Sequence, residues 1–128
     1  MLPINDYQKL LYEALKKTGY KVFDEVPIDE ELPLIMISDY ILSEGNTKME
    51  DYKFQQKIDI YSQYEGKKQV NEMVASVLKE VKEIENTMVN EDGYYIGWVR
   101  LLDSEILRIE DGIYVANLKF EIHLEEVI

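Results

Sequence analysis

Residues 57–69, KIDIYSQYEGKKQ, change their hydrophobic period halfway, and this change decides the fold. The first half alternates strictly between apolar and polar residues, as a half-buried strand does. Beyond Gly66 the apolar residues recur every three or four positions, which predicts a helix over about residues 67–85. The corner between strand and helix carries two tyrosines, two lysines and one glycine. It lacks the glycine-rich and nucleophile motifs that α/β enzymes place at such corners.

The composition indicates one folded domain. A chain of 128 residues fits a single domain over residues 1–128, and its 46% apolar and 31% charged residues are typical of a globular protein. No apolar run approaches the roughly 18 residues of a membrane span, and the N-terminus does not resemble a signal peptide. We therefore expect no membrane partner and a cytoplasmic origin. The absence of cysteine excludes disulfide and thiolate chemistry.

The net charge is the strongest global signal. The formal charge of −12 repels polyphosphate, so specific binding of nucleic acid is not expected. One interpretation is that the acidity keeps the protein in solution. The other is an acidic surface that nucleic acid passes without adhering.

Periodicity along the rest of the chain predicts an α+β domain. Two helices, each with a single apolar stripe, should cover one face of a mainly antiparallel sheet in two layers. The predicted order is α-β-β-β-α-β-β(-β). The predicted segments are helices at 5–18 and 67–85 and strands at 20–23, 34–41, 52–62 and 94–102, followed by a hairpin.

The final hairpin is predicted to turn at Asp111-Gly112, a two-residue loop that favours positive φ. A regular register from that turn pairs Ile109 with Tyr114, Leu107 with Ala116 and Glu105 with Leu118. It assigns a continuous buried face to the last strand.

The opposite face of this hairpin is predicted to be apolar as well, with Ile106, Ile113 and Val115 beside Arg108. An uncovered face of this kind meets a partner, or else the N-terminal strands or the 24–33 connection cover it. The sequence leaves both possibilities open.

No group of residues predicts catalysis, so we expect no enzyme, no catalytic residue and no cofactor. The single histidine, His123, should be a surface residue with no second nitrogen ligand and no nucleophile to serve. The acidic clusters lack the spacing of a calcium loop, and no phosphate-binding glycine motif occurs, so no metal is expected. Aromatic residues stand out instead (Tyr61, Tyr64, Tyr94, Tyr95 and Trp98), and they predict core packing and assembly contacts.

Four segments of the sequence stand out together with their order along the chain. They are LPLIMISDY as the second strand, a polar loop with Asn46-Thr47-Lys48, the strand-to-helix unit QQKIDIYSQYEGKKQVNEMVASVL and the hairpin LLDSEILRIEDGIYVANLKFEI. In this order they resemble the small tail-completion or tail-terminator (tail-to-head joining) proteins of tailed bacteriophages and prophages, so the implied fold is tail-terminator-like. Together they cover nearly all of the chain after the first helix.

The resemblance implies a non-enzymatic structural protein that forms a ring, commonly of six copies. Such a ring caps the tail tube, ends its polymerisation and joins it to the head connector, while DNA passes through. The implied partners are the chain itself, the tail tube protein and the head–tail connector protein. The implied location is the head-proximal end of the tail in the virion, and the bacterial host cytoplasm during assembly.

By this analogy, protein contacts fall on the 43–50 loop and on the outer side of the hairpin. The expected interface residues are Glu44, Asn46, Lys48, Tyr61, Tyr64, Ile106, Arg108, Ile113 and Val115. Two other functions stay open. One is an acidic DNA mimic that inhibits a host nuclease, and the other is an α+β domain that binds a small ligand in a pocket.

Overall fold

The predicted element order is confirmed in a computed structural model that describes residues 2–25, 27–45, 51–91, 93–110 and 112–127. The elements are α1 (Ile4–Lys16), β1 (Lys21–Phe23), β2 (Leu34–Glu44), β3 (Asp51–Gln63), α2 (Lys68–Lys82), β4 (Tyr94–Glu110) and β5 (Ile113–Glu126). Neither helix combines the length and hydropathy of a membrane-spanning segment among the residues described.

The strands form one mainly antiparallel sheet in the order β1-β2-β3-β5-β4. Only β1 and β2 run parallel. The β3–β5 ladder at the centre is uninterrupted from the Asp51–Glu125 pair to the Gln63–Ile113 pair. The sheet therefore has two edges, β4 on one side and the short β1, backed by β2, on the other.

Both helices pack on one face of this sheet, which confirms the two-layer arrangement. Each helix buries one apolar stripe, as its 3.6-residue period requires. The buried helix residues are Tyr7, Leu11, Ala14 and Leu15 in α1 and Val70, Met73, Val77 and Val81 in α2. The sheet contributes Phe54, Ile58, Ile60, Ala116, Leu118, Phe120, Ile122 and Leu124 to the same core.

A buried polar chain joins α1 to the first half of the sheet. The Tyr7 ring stacks on Phe54 with centroids 3.9 Å apart, and its hydroxyl donates to Gln56 Oε1 at 2.9 Å. Gln56 Nε2 in turn donates to the carbonyl of Ser38 at 3.0 Å. That carbonyl belongs to a β-bulge between Ile37 and Tyr40, where β2 loses its regular pairing with β3. The Gln56 amide therefore satisfies a backbone group that the bulge releases from the ladder.

The predicted register of the final hairpin is wrong by one residue. Glu110 pairs with Ile113, so the loop has the predicted length, and Gly112 has the predicted positive φ, +77°. Asp111, the other predicted loop residue, lies outside the described residues. Ile109 then forms a bulge, and Ile106 rather than Leu107 pairs with Ala116. Because a shift of one residue exchanges the faces of a strand, Ile106 packs against the core and is not on the outer side.

We predict that Tyr7→Phe lowers the free energy of unfolding by about 1–3 kcal/mol, because the buried Gln56 oxygen loses its donor. Urea denaturation measures the change. Tyr12→Phe is the matched control, since Tyr12 lies on the same helix but is exposed. Equal effects of the two substitutions would contradict the role given to the Tyr7 hydroxyl.

We also predict a specific loss of stability in alkali. Burial, and to a lesser extent Tyr40, raises the pKa of Tyr7 well above its ordinary value of 10.0. The unfolded chain releases this proton first, so the stabilisation is complete below pH 10.0 and is lost as the pH rises toward the folded-state pKa. Unfolding free energies measured across this range should fall more steeply for the unmodified chain than for Tyr7→Phe. Parallel profiles would count against the prediction.

Candidate assembly surface

The sheet face turned away from the helices, here called the outer face, consists of the odd-numbered residues of β3 and β5 with their neighbours on β2 and β4. Even-numbered residues of β3 and β5 pack toward the helices. Pairing aligns the outer residues in rows across the strands, and charged or aromatic side chains occupy most of them. This face therefore has a chemical character distinct from the core face.

An aromatic and ionic cluster centred on His123 occupies one end of the outer face. The Trp98 ring stacks on the imidazole with centroids 5.0 Å apart. The Nε2 atom of His123 lies 2.9 Å from Asp51 Oδ2, and its Nδ1 lies 2.9 Å from Glu125 Oε1. The second contact has an ion-pair distance but not hydrogen-bond geometry. Tyr95 donates its hydroxyl to the other oxygen of Glu125.

His123 is therefore not the exposed residue expected from the sequence. It does point away from the helices, but only 6% of its surface is exposed because Trp98 covers it. Gly97 makes this packing possible, since a Cβ at that position would lie 3.0 Å from Glu125 Cδ and 3.1 Å from His123 Nδ1. No alternation pattern shows this arrangement, because it depends on a bulge in β4 between Ile96 and Trp98.

Charged residues occupy the middle of the outer face. Glu121 faces Arg100 at 3.2 Å and Lys53 at 3.8 Å. The Arg100 guanidinium also lies over the Trp98 ring, 5.4 Å from its centroid. In the next row, Lys57 and Lys119 are direct cross-strand partners. Basic groups thus interleave with acidic ones here, although the whole chain has a charge of −12.

The other end of the outer face is apolar and partly covered. One row across the strands consists of Leu34, Tyr61, Val115 and Leu107. Pro27 and Leu32, from the connection between β1 and β2, line a cavity of about 210 Å³ together with Leu34 and Tyr61. Of the two possibilities for this face, the structure thus supports cover by the 24–33 connection for the β2–β3 part.

The edge of β4 is occupied along its first half. The Asn86 N–H donates to the Ile96 carbonyl at 2.7 Å, and the Ile96 N–H donates to the Thr87 carbonyl at 2.9 Å. The Val89 N–H donates to the carbonyl of Tyr94. Side chains continue this cover at Val99, whose N–H donates to Glu85 Oε1 at 2.9 Å and whose carbonyl accepts from Lys82. The pKa of Glu85 is lowered by its bond to Lys82 and then by its bond to Val99. The segment after α2 therefore satisfies the outward-facing groups of β4 up to Val99.

The second half of β4, residues 101–110 and here called the open edge, has no such cover in the described part of the chain. Three of its five apolar side chains are accessible: Leu101 is 36% exposed, Leu107 41% and Ile109 58%. The chain's two arginines, Arg100 and Arg108, both belong to β4. Arg108 lies within the open edge, and an unprotected strand edge with accessible apolar side chains and an arginine is typical of a protein contact.

The residues predicted as interface fall in three different environments. Glu44, Tyr64 and Arg108 are exposed, whereas Tyr61 and Ile113 are half-buried. Val115 does face outward but is buried by its neighbours, and Ile106 belongs to the core side, as described above. Asn46 and Lys48 lie outside the described residues. Leu107 and Ile109 are accessible, although the predicted register assigned them to the buried face. Trp98, one of the aromatic residues singled out in the sequence, belongs to the cluster around His123.

The described residues bear on metal and small-ligand binding in two ways. None of the groups of His, Asp and Glu that they contain could hold a metal ion. The widest cleft that we describe, about 870 Å³, is an open notch beside β2 lined by Gln8, Asp24, Glu25 and residues 36–40. Its polar groups do not converge on an enclosed site, and surface contact is the interpretation that its shape favours.

Comparison with known proteins gives a structural relationship. No protein-family profile and no curated protein matches the sequence. The fold is similar to that of a chain in the solved structure described as "Virion of native gene transfer agent (GTA) particle", with a TM-score of 0.72. The match covers 92% of this chain and 93% of that chain at 16% sequence identity. The two chains therefore share a fold over nearly their whole length.

We predict that Trp98→Ala makes His123 reactive. Diethyl pyrocarbonate modifies accessible imidazoles, and His123 is the only histidine, so its modification can be followed without ambiguity. His123 should react slowly in the chain without substitutions and much faster in Trp98→Ala, because the variant lacks the ring that stacks on the imidazole. Tyr64→Ala, which removes an exposed aromatic outside the cluster, is the control. Fast reaction of His123 with the reagent in the chain without substitutions would contradict the observed burial.

Proposed function

We propose that this chain is a structural protein of a tailed phage, prophage or related particle, and that it caps the tail tube, ends its polymerisation and joins it to the head connector as a ring. The observation that carries this proposal is the fold shared with a chain of a gene transfer agent virion over 92% of the sequence. The resemblance of the strand-to-helix unit and the final hairpin to tail-completion proteins supports the narrower role.

The described surface agrees with assembly as the mode of action. Accessible apolar side chains and Arg108 lie on the open edge of the sheet, and the aromatic and ionic cluster around His123 occupies the opposite end of the outer face. Surfaces of this composition bind proteins. In this proposal the partners are other copies of the chain, commonly six in a ring, then the tail tube protein and the head connector protein.

The acidic composition fits a ring through which DNA moves. Carboxylates facing a lumen repel the phosphate backbone, so DNA slides without adhering. An acidic mimic of DNA requires carboxylates in an uninterrupted row, whereas the outer face interleaves acids with Lys53, Lys57 and Lys119. The proposed location is the head-proximal end of the tail, after assembly in the bacterial cytoplasm.

We predict that the purified chain arrests the growth of tail tubes assembled from the tail tube protein of the same phage or prophage. Electron microscopy should show shorter tubes with added density at one end. An unrelated protein of similar size and net charge is the control, because charge alone should not limit length. Tubes that elongate normally at saturating protein would overturn the proposed function.

A further inference from the structure

We propose that neighbouring copies join by continuing the sheet: residues 104–108 of β4 in one copy pair antiparallel with residues 40–44 of β2 in the next. This inference rests on the proposed ring, and it identifies the surfaces that the ring uses. It follows from the hydrogen-bond directions of two strand edges, from the faces of their side chains and from the space around them.

The outward-facing backbone groups of β4 can be assigned from its covered half. Ile96 and Val99 direct their groups away from β5, because the segment after α2 and the Glu85 and Lys82 side chains bond to them. Their partners on β5 are even-numbered, and so are the partners of Ser104 and Ile106. Since β5 has no irregularity against β3, the alternation holds, and Ser104 and Ile106 also direct their groups outward.

The second half of β2 has a matching set. The Gly45 N–H donates to the Asp51 carbonyl at 2.9 Å. The odd-numbered residues of this half therefore direct their backbone N–H and C=O groups toward β3. Tyr40, Leu42 and Glu44 therefore direct their backbone groups away from β3. The short β1 pairs only with residues 34–36 of β2 and leaves residues 40–44 uncovered among the described strands.

One register satisfies both edges. Bulges interrupt β4 between Leu101 and Asp103 and between Arg108 and Glu110, so its regular open run ends at Arg108. On β2 the regular run begins at Tyr40. Pairing 40–44 with 108–104 keeps both runs unbroken and places outward backbone groups opposite one another.

The same register matches the side chains. On the outer face it sets Ile41, which is 58% exposed, against Leu107, which is 41% exposed. On the helix side it sets Leu42 against Ile106 and Tyr40 against Arg108. The pairs are apolar with apolar and an aromatic ring with a guanidinium, which are favourable cross-strand contacts. The two remaining pairs, Ser43 with Glu105 and Glu44 with Ser104, each set a carboxylate against a hydroxyl, so no two like charges are directly opposite.

The space around the edges permits this contact. Within one copy, residues 40–44 lie level with residues 101–96 of β4, so the neighbour is displaced by about six residues, or ~20 Å. The displacement places the neighbour's β1 beyond the end of the β4–β5 hairpin. It also keeps the residues that cover the first half of β4 clear of the neighbour's β2. Each copy adds four strands, β2, β3, β5 and β4, to the continued sheet, so copies repeat every ~19 Å across the strands. An offset of ~20 Å along the strands for each such repeat tilts the strands by about 45° to the ring axis, which is the upper end of the range in closed barrels.

Cysteine pairs test this inference directly, because the chain has no cysteine of its own. Ser43 and Glu105 are opposite each other in the proposed register, in a pair that is not hydrogen-bonded, with Cα atoms at about 4.5 Å and within disulfide range. A mixture of Ser43→Cys and Glu105→Cys should give disulfide-linked dimers in the presence of tail tubes, and the double variant should give a ladder of higher species. The mixture of Ser43→Cys with Glu72→Cys, on the exposed side of α2, is the control.

The outcomes separate this inference from the proposed function. Tube arrest without the 43–105 disulfide, equal yield in the control mixture, or dimers from Glu105→Cys alone would overturn the β4–β2 contact and leave the tail role standing. The disulfide without tube arrest would support the contact and overturn the tail role. Absence of both would overturn both.

A charge exchange provides an independent measurement. Leu107→Lys should abolish the 43–105 disulfide, because it places an unpaired charge against Ile41. Adding Ile41→Glu should restore it, since the two new charges are then partners. Ile28→Lys, at an isoleucine that is 88% exposed in the β1–β2 connection, should have no effect. Failure of the second substitution to restore the disulfide would contradict the proposed register.

Discussion

The buried amide of Gln56 is the interaction on which the rest of the sheet depends. It accepts from Tyr7 on α1 and donates to the Ser38 carbonyl at the bulge in β2. The bulge changes which residues of β2 face the helices: Ile37 faces them before it, and Tyr40 and Leu42 face them after it. Without this donor, the partly buried Ser38 carbonyl at the bulge would lose its hydrogen bond to the Gln56 side chain. One side chain therefore connects α1 to the point at which β2 changes the residues that face the helices.

Much of the architecture could be predicted from periodicity alone. The alternation in β3 and the apolar stripe of α2 each specify one buried face, and the strand-to-helix corner follows from their adjacency. The buried start of β2 was also predictable, because Leu34 and Ile35 are both apolar and both are buried. These segments follow their local period because each has a single dominant packing partner.

The details of β4 could not be predicted, because bulges are decided by tertiary packing rather than by local pattern. A regular hairpin register assigned Leu107 to the core, whereas the bulge at Ile109 brings Ile106 there and turns Leu107 outward. The same reason explains His123, whose position opposite the core gave no sign that Trp98 would cover it. Assembly sites built on bulged edge strands are thus difficult to recognise from sequence.

The Gly45–Asp51 contact determines how the β2–β3 connection is attached to the sheet. The Gly45 N–H closes a backbone bond to Asp51, whose carboxylate continues to His123 on β5, and the His123 ring lies against Trp98 on β4. A side chain at position 45 would collide with that carboxylate. Four strands are therefore fastened together at the base of this connection. A mechanical load applied there, such as the pull of a docked neighbour, would be shared across those four strands rather than peeling one hairpin away.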